Sequence, residues 1–331
     1  MSPFEDLVGQ NQAVELLKQA IAQNRIAPAY LFAGPDGIGR SLTAQSFTEL
    51  IFYGIETTDS ASPLLTETGG KSKKRGLNRV RERNHPDLLW VAPTYLHNGV
   101  RLSAAEAAEK GLKRKAPPQI RLEQVREIAQ FLGRPPLEAS RSVVVIEQAE
   151  TMAEGAANGL LKTLEEPGQA TIILIAPSAE SLLPTLVSRC QKIPFYPLDS
   201  EAMATVLRRH NYENILQHSE VLRLAAGSPG EAIASWQQLQ AIPPELLAAV
   251  KEIPKTLRKA LELAREIDKT LDTEAQLWLV DYLQQCYWQQ FVERKIFESP
   301  VEKLEKARKC LLKYGQPRLV WEVTLMGMCQ R

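Results

Sequence analysis

A chain of 331 residues is long enough for two or three domains, and its 44% hydrophobic and 24% charged residues are ordinary for a soluble globular protein. The net charge of +1 gives no global sign of nucleic-acid binding, no apolar run approaches the roughly 20 residues of a membrane helix, and the N-terminus lacks the pattern of a secretory signal. The four cysteines form no C-x-x-C pair, so we expect neither a zinc site nor a disulfide framework, no membrane partner, and a cytoplasmic location.

A helix is predicted over residues 10–24, where apolar side chains recur at helical spacing, and a short apolar strand follows at Ala29–Ala33. The strand runs into residues 34–41, which read Gly-Pro-Asp-Gly-Ile-Gly-Arg-Ser, and a second helix is predicted from there to about residue 53. Strand, glycine loop and helix in this order predict a phosphate-binding loop of the G-x-x-x-x-G-K-[ST] type.

This loop keeps the backbone pattern of a nucleotide site but not its lysine. Glycines let backbone N–H groups close around phosphates, and the hydroxyl after the cation can reach magnesium. Arginine is longer, planar and forked, so its place in the lysine position is not a conservative exchange. Whether the loop is occupied is left open. The candidate nucleotide-binding residues of the loop are Gly34, Gly37, Gly39, Arg40 and Ser41.

Two polar stretches, residues 55–84 and 103–118, interrupt the pattern, with a strand predicted between them at Leu88–Val91. A charge run of this kind is usually a solvated, mobile loop, and contact with DNA phosphates is the alternative. The basic residues of the first stretch are Lys71, Lys73, Lys74, Arg75, Arg79, Arg81 and Arg83. Those of the second are Lys110, Lys113, Arg114 and Lys115.

The β-branched run Val143–Ile146 predicts a strand buried on both faces, and Glu147 and Gln148 follow it. In phosphate-loop ATPases the corresponding strand ends in an acid that helps to hold magnesium. Glu147 can take that role at longer reach than aspartate, whereas the neutral Gln148 cannot act as a general base. A further buried strand is predicted at Thr171–Ile175. Strands that alternate with helices predict a parallel sheet with right-handed crossovers. After about Pro197 only helices are predicted.

Several stretches within the first 230 residues carry a family pattern. Two of them, Leu160–Pro167 (Leu-Leu-Lys-Thr-Leu-Glu-Glu-Pro) and Ser188-Arg189-Cys190, are highly specific to clamp-loader subunits. The others are Phe4–Gln10, residues 34–41, His85–Asp87, Ile120–Arg126 and Gly227–Gly230. On these motifs the chain resembles the delta-prime family of bacterial DNA polymerase III clamp-loader subunits, within the AAA+ superfamily. The helical remainder resembles that family only in being helical and carries no motif specific to it.

The resemblance implies three domains: an AAA+ P-loop-like α/β domain with a parallel sheet at 1–196, a small helical lid at 197–240 and an all-α collar at 241–331. Five such subunits form a ring that is joined through the collars. The implied partners are the gamma/tau and delta subunits of this heteropentamer. Through the complex, the sliding clamp and primer-template DNA are implied as well, because ATP in the motor subunits lets the loader open the clamp and place it on primed DNA.

The resemblance also assigns residues. Arg189 is implied to reach across an interface to a neighbour's γ-phosphate, and an arginine finger supplied in trans is worth about 10³–10⁵ in rate. Val8 and Gly9 join the loop residues, Glu147 and Gln148 in an implied nucleotide site.

Three departures from the family pattern are visible. Arg40 and Gln148 impair hydrolysis by the chain's own site. Glu231 stands where ATPase relatives tend to have a basic residue. No cysteine precedes Cys190, so the zinc knuckle of many relatives cannot bind zinc here.

We therefore expect a delta-prime stator subunit without productive ATPase activity and without a required cofactor. Weak binding of ATP or ADP with Mg²⁺ at the degenerate site is left open. The main alternative is a catalytically active gamma/tau-like motor subunit. The second is an AAA+-like binding module in another DNA-linked complex.

Overall fold

The computed structural model describes residues 3–54, 75–109, 117–294, 300–313 and 315–329. It contains two compact units, Met1–Ala202 and Met203–Arg331. The first is an α/β unit, and the described part of the second is helical. The expected boundary at residue 196 and the division of the helical part into lid and collar remain predictions.

Five strands of the first unit form one parallel sheet. They are β1 (Ala29–Ala33), β2 (Leu88–Val91), β5 (Ser142–Ile146), β6 (Ala170–Ala176) and β7 (Gln191–Pro194). Their order across the sheet is β2-β5-β6-β1-β7. Every residue of β5 and β6 is buried, as expected for inner strands covered on both faces. The predicted parallel sheet is therefore confirmed.

The predicted helices on either side of the phosphate loop are also present. The helices of the first unit are α1 (Asn11–Ala22), α2 (Arg40–Tyr53), α3 (Ala104–Glu109), α4 (Leu122–Leu132), α5 (Glu154–Glu165) and α6 (Pro184–Val187). Residues 75–81 are helical as well. Val125 of α4 and Leu160 of α5 belong to one core cluster with Val144 and Leu174 of the sheet. Burial of these apolar side chains fixes the layer of helices on the sheet.

The helical unit has a core of its own. Its helices are α7 (Ser200–Arg209, within which the unit begins), α8 (Ser219–Ala225), α9 (Pro229–Ala241), α10 (Pro244–Lys251), α11 (Leu257–Thr270), α12 (Thr273–Val292), α13 (Val301–Leu312) and α14 (Pro317–Met328). Trp321 is fully buried among apolar side chains of α11 and α12, and its indole N–H donates to Gln276 Oε1 at 2.9 Å. The expected all-α C-terminal region is confirmed for the described residues.

Three strands were not predicted. β7 is the edge strand beside β1, and only Ile193 of its four residues is buried, so its sequence has no continuous apolar run. β3 (Tyr95–His97) and β4 (Val100–Leu102) form an antiparallel hairpin beyond β2. Each has three residues, too few to show a reliable period.

Candidate functional site

The phosphate loop lies between β1 and α2, at the carboxyl edge of the parallel sheet. Gly37 and Gly39 have φ angles of 73° and 99°, a region that glycine adopts readily, and Gly39 is the N-cap of α2. Gly34 is required for another reason, because an added Cβ would overlap the carbonyl oxygen of Phe195. The loop therefore keeps the backbone path that the sequence predicted, with the N-terminus of a 14-residue helix behind it.

Arg40 is turned inward instead of projecting from the loop. Its side chain is 6% exposed, and Nη2 donates to Oδ1 of Asp36, four residues earlier. Its Nη1 is buried without a hydrogen-bond partner among the described residues. The cation in the lysine position thus has an internal counterion, which sequence inspection missed although Asp36 is part of the loop.

A cavity of about 660 Å³ opens at this edge of the sheet. Ser41 lines it from α2, while Glu147 and Gln148 line it from the end of β5. Ser103 and Pro118, from either end of the second polar stretch, contribute a further wall. The cavity therefore brings part of the loop together with the two residues that follow β5. The basic residues at 110–115 lie outside the described residues.

Glu147, the candidate magnesium-side acid, is engaged by an arginine from elsewhere in the chain. The guanidinium of Arg83 lies 3.3 Å from Glu147 Oε1 and stacks over the ring of Trp90 at 4.0 Å. Gln148 follows with φ of 48°, so the chain turns sharply away at this point. The carboxylate that would hold a divalent ion already has an intramolecular cation as its partner.

A second acid, Glu150, is close enough to Asp36 and Arg40 for their charges to act on its carboxyl. Burial raises the pKa of its carboxyl, the charge of Asp36 raises it further and that of Arg40 lowers it. Its Oε2 atom is buried and has no hydrogen-bond partner among the described residues. Arg40 therefore forms its ion pair with Asp36, and its effect on Glu150 is the smallest of these influences.

Val8 and Gly9 lie in the N-terminal segment, and neither of them lines the cavity. Gly9 has φ of 78°, and a Cβ there would lie 3.1 Å from Leu198 Cγ. Beside them, buried Gln10 donates through Nε2 to the carbonyl of Tyr196 at 2.7 Å, and its Oε1 accepts the Tyr196 N–H at 3.2 Å. Gln10 thus joins this segment to the exit of β7, a role that its place in the Phe4–Gln10 motif could have suggested.

The loop backbone fits phosphate groups, but the side chains do not fit a hydrolytic centre with magnesium and nucleotide. The cation at position 40 is bonded to a carboxylate, and the carboxylate at position 147 is bonded to a guanidinium. Gln148 carries no charge with which to activate water. No cluster of three or more His, Cys, Asp or Glu side chains suited to a metal ion occurs within the described ranges.

Arg189 lies after α6, away from this cavity, of which it is not a lining residue. Its side chain is 37% exposed. One arm donates to the carbonyl of Thr185 at 2.9 Å, and the other donates to Glu165 Oε1 at 2.6 Å. Glu165 belongs to the Leu160–Pro167 motif, so the two most specific sequence motifs meet in this ion pair.

The described part of the first basic stretch differs from the expected loop. Residues 75–81 are helical, and three of its arginines form ion pairs. Besides Arg83 with Glu147, these are Arg79 with Glu138 at 2.9 Å and Arg81 with Glu49 at 2.9 Å. These ion pairs join the segment to other parts of the same α/β unit. Residues 55–74, with Lys71, Lys73 and Lys74, lie outside the described residues.

Glu231 lies in the first turn of α9, in the helical unit. The hydroxyl of Ser228 caps this helix by accepting the Glu231 N–H at 3.2 Å.

In the part of the chain that the structure describes, no helix is both long and apolar enough to cross a membrane.

Comparison with known families assigns both parts of the chain. Residues 9–199 match the family described as DNA polymerase III, delta subunit. Residues 201–328 match the family described as cyanobacterial DNA polymerase III delta prime, C-terminal domain. Together the two matches span nearly the whole chain.

Individual relatives agree with these families. The chain is 31% identical over 195 residues to DNA polymerase III subunit delta' of Bacillus subtilis. This alignment covers 59% of this chain and 50% of the relative. It is 32% identical over 208 residues to subunit delta' of Pseudomonas aeruginosa, with 61% and 54% covered. Subunit tau of Bacillus subtilis is 27% identical over 233 residues, with 70% and 34% covered. The chain therefore matches about half the length of the delta' relatives and a third of tau.

Among solved structures, a DNA polymerase III gamma subunit-related protein from Thermotoga maritima is similar in fold. The alignment covers 96% of this chain and 98% of that one, with a TM-score of 0.51 and 16% identity. At this identity the likeness concerns the fold alone.

Proposed function

The chain belongs to the DNA polymerase III delta-subunit family, and we propose that it acts as the delta-prime subunit, or stator, of the clamp loader, which helps to place the sliding clamp on primed DNA. The observation that carries the proposal is the pair of adjacent matches, residues 9–199 to the delta family and 201–328 to a delta-prime C-terminal domain. Its partners are then the gamma/tau and delta subunits, and the clamp and primer-template DNA through the complex.

The chain's own loop is proposed to be hydrolytically silent. Hydrolysis needs a cation that is available to the phosphates, an acid that holds the metal and a group that orients water. Arg40 and Glu147 are each bonded to an oppositely charged side chain, and Gln148 is neutral. Three of the required functions are therefore compromised together.

The functional arginine of the proposed stator is Arg189, supplied in trans to the ATP site of a neighbouring motor subunit. Its support is the Ser-Arg-Cys motif together with the surface position of the guanidinium. The pair with Glu165 holds this guanidinium in place while leaving it 37% exposed. Surface ion pairs contribute only about 0–1 kcal/mol, so a phosphate of higher charge can replace Glu165 as the partner.

The competing motor-subunit function is supported by matches to tau subunits, among them the 27% identity to tau of Bacillus subtilis over 70% of this chain. It predicts that the isolated chain hydrolyses ATP. The stator function predicts negligible hydrolysis by the isolated chain, together with stable incorporation into a ring with gamma/tau and delta subunits.

Two measurements on the full chain separate these functions. Phosphate release by the purified chain, with and without primed DNA, tests hydrolysis, and turnover near that of a reconstituted loader would overturn the stator assignment. Size-exclusion chromatography with gamma/tau and delta subunits tests assembly. A chain that stays apart from both subunits would instead be a binding module of another DNA-linked complex.

A further inference from the structure

The phosphate loop is proposed to be silent, yet it keeps the features that attract phosphate. Gly37 and Gly39 keep positive φ angles, α2 begins directly behind them, and a cation stands in the lysine position. These are the elements that normally attract phosphate. The exchange of lysine for arginine does not remove the attraction, because arginine is itself a strong, bidentate phosphate ligand.

The charge of Asp36, and not the exchange of lysine for arginine, explains why a loop with these features would not attract phosphate. Its Oδ1 accepts from Nη2 of Arg40, so the charge of this guanidinium is compensated inside the loop. The side chain of Asp36 is 53% exposed, whereas that of Arg40 is 6% exposed. Asp36 also lines the cavity, so the negative partner borders the space that an anion would enter. Burying the arginine against it leaves a loop whose outer charge is negative.

The other half of the guanidinium has no partner. Nη1 of Arg40 is buried and makes no hydrogen bond among the described residues. A buried donor of this kind normally has an acceptor, since leaving it unpaired is costly. Arg40 also lines the cavity of about 660 Å³. One guanidinium arm is thus unpaired but covered, and release of Arg40 from Asp36 would let this arm reach an oxyanion in the cavity.

We infer that Asp36 is an internal counterion that closes the phosphate loop, and that removing its charge lets Arg40 and the loop backbone bind a polyphosphate. The inference rests on the proposed function in taking the loop as silent in the native subunit. It adds that the loop is silenced by an electrostatic contact with Asp36, and that Arg40 itself is competent to bind phosphate.

The test uses the full chain with inorganic pyrophosphate and with ADP, both titrated by calorimetry without added metal. The variants are Asp36→Asn and Asp36→Ala, with Asp36→Glu as the matched control that keeps the charge. We expect at least tenfold tighter binding of pyrophosphate by the Asn and Ala variants than by the wild type or the Glu variant. Adding Arg40→Ala to either variant is expected to abolish the gain, and rising salt is expected to weaken it.

A gain that survives Arg40→Ala would overturn the inference, and so would unchanged pyrophosphate binding by variants that remain folded. A gain confined to ADP would overturn it as well, because the change in charge must act on the phosphates. If the pair only held the loop in shape, Asp36→Asn would lower the melting temperature without tightening binding. Asp36 is exposed, so the Ala variant serves if the Asn variant is unstable. Assembly of the wild-type chain with gamma/tau and delta tests the proposed function separately, because that measurement reports complex formation and not phosphate binding.

Discussion

Asp87 anchors a loop beside the sheet, and its removal gives a quantitative test of the architecture. Its carboxylate is 2% exposed and accepts three backbone N–H groups, from Leu137 at 2.6 Å, Glu138 at 2.8 Å and Ala139 at 2.7 Å. Hydrogen bonds to charged groups contribute about 1.5–3 kcal/mol each, but water can replace part of these because Leu137 and Glu138 are exposed. We therefore expect Asp87→Ala to lower the free energy of unfolding by about 3 kcal/mol.

Urea denaturation of the full chain measures this difference, with an unchanged m-value as the check that the same surface unfolds. Asp199→Ala is the matched control, because exposed Asp199 accepts a single backbone N–H, from Ala202 at 2.8 Å. We expect this control to cost about 1 kcal/mol. Equal losses in the two variants would refute the argument that the number of accepted N–H groups sets the cost.

The stabilisation from Asp87 is also expected to depend on pH in a defined direction. Burial raises the pKa of its carboxyl, but the three backbone hydrogen bonds and the charge of His85 lower it, and the net result is a pKa below the ordinary 3.8. A depressed folded-state pKa gives stability that is present above the unfolded value and is lost as pH falls through the folded value. The stability gap between wild type and Asp87→Asn should therefore narrow below about pH 4. A gap that is constant from pH 6 to pH 3 would contradict this assignment.

Two further substitutions test the surroundings of the loop. Gly34→Ala should destabilise the chain by more than about 2 kcal/mol, because the new Cβ would lie 2.8 Å from the Cβ of Phe195. Gly155→Ala is the control, because its Cβ would meet no atom within 4 Å, and it should be neutral or slightly stabilising. Thermal melting compares the two variants, and similar melting temperatures would contradict the close approach at Gly34. Gln10→Ala should cost about 2 kcal/mol, because it leaves the N–H and carbonyl of Tyr196 without their partner; a loss below about 0.5 kcal/mol in urea denaturation would show that Gln10 does not hold the N-terminal segment.

The parts of the fold that sequence could predict are those with local signals. The glycine loop, the β-branched strands β5 and β6 and the helices around them have clear periods and breakers, and the structure has them close to the predicted bounds. β7 was missed because its strand character depends on pairing with β1, not on its own composition. Its single buried residue, Ile193, could not mark it as a strand.

Motifs name candidate site residues but not the side chains that pair with them. Gly37, Gly39, Arg40 and Ser41 of the loop line one cavity with Glu147 and Gln148. Val8, Gly9 and Gly34 do not line it, and the role of all these residues stays a prediction. The pair of Arg83 with Glu147 joins residues 64 positions apart, and no local pattern encodes such a contact. The pair of Asp36 with Arg40 is local, but a loop sequence does not say which way a long side chain turns. Whether Arg189 acts in trans depends on a neighbouring subunit and stays a prediction.

The most direct test of the central claim is DNA-stimulated ATP turnover by a reconstituted loader that carries Arg189→Ala in this subunit. Arg101→Ala is the matched control, because Arg101 and Glu127 are 37% and 53% exposed, the same values as Arg189 and Glu165. We expect the Arg189 variant to assemble normally and to hydrolyse ATP much more slowly than the wild type, while the Arg101 variant keeps wild-type turnover. Unchanged turnover in a fully assembled Arg189→Ala loader would contradict the claim that this chain supplies a catalytic arginine to its neighbour.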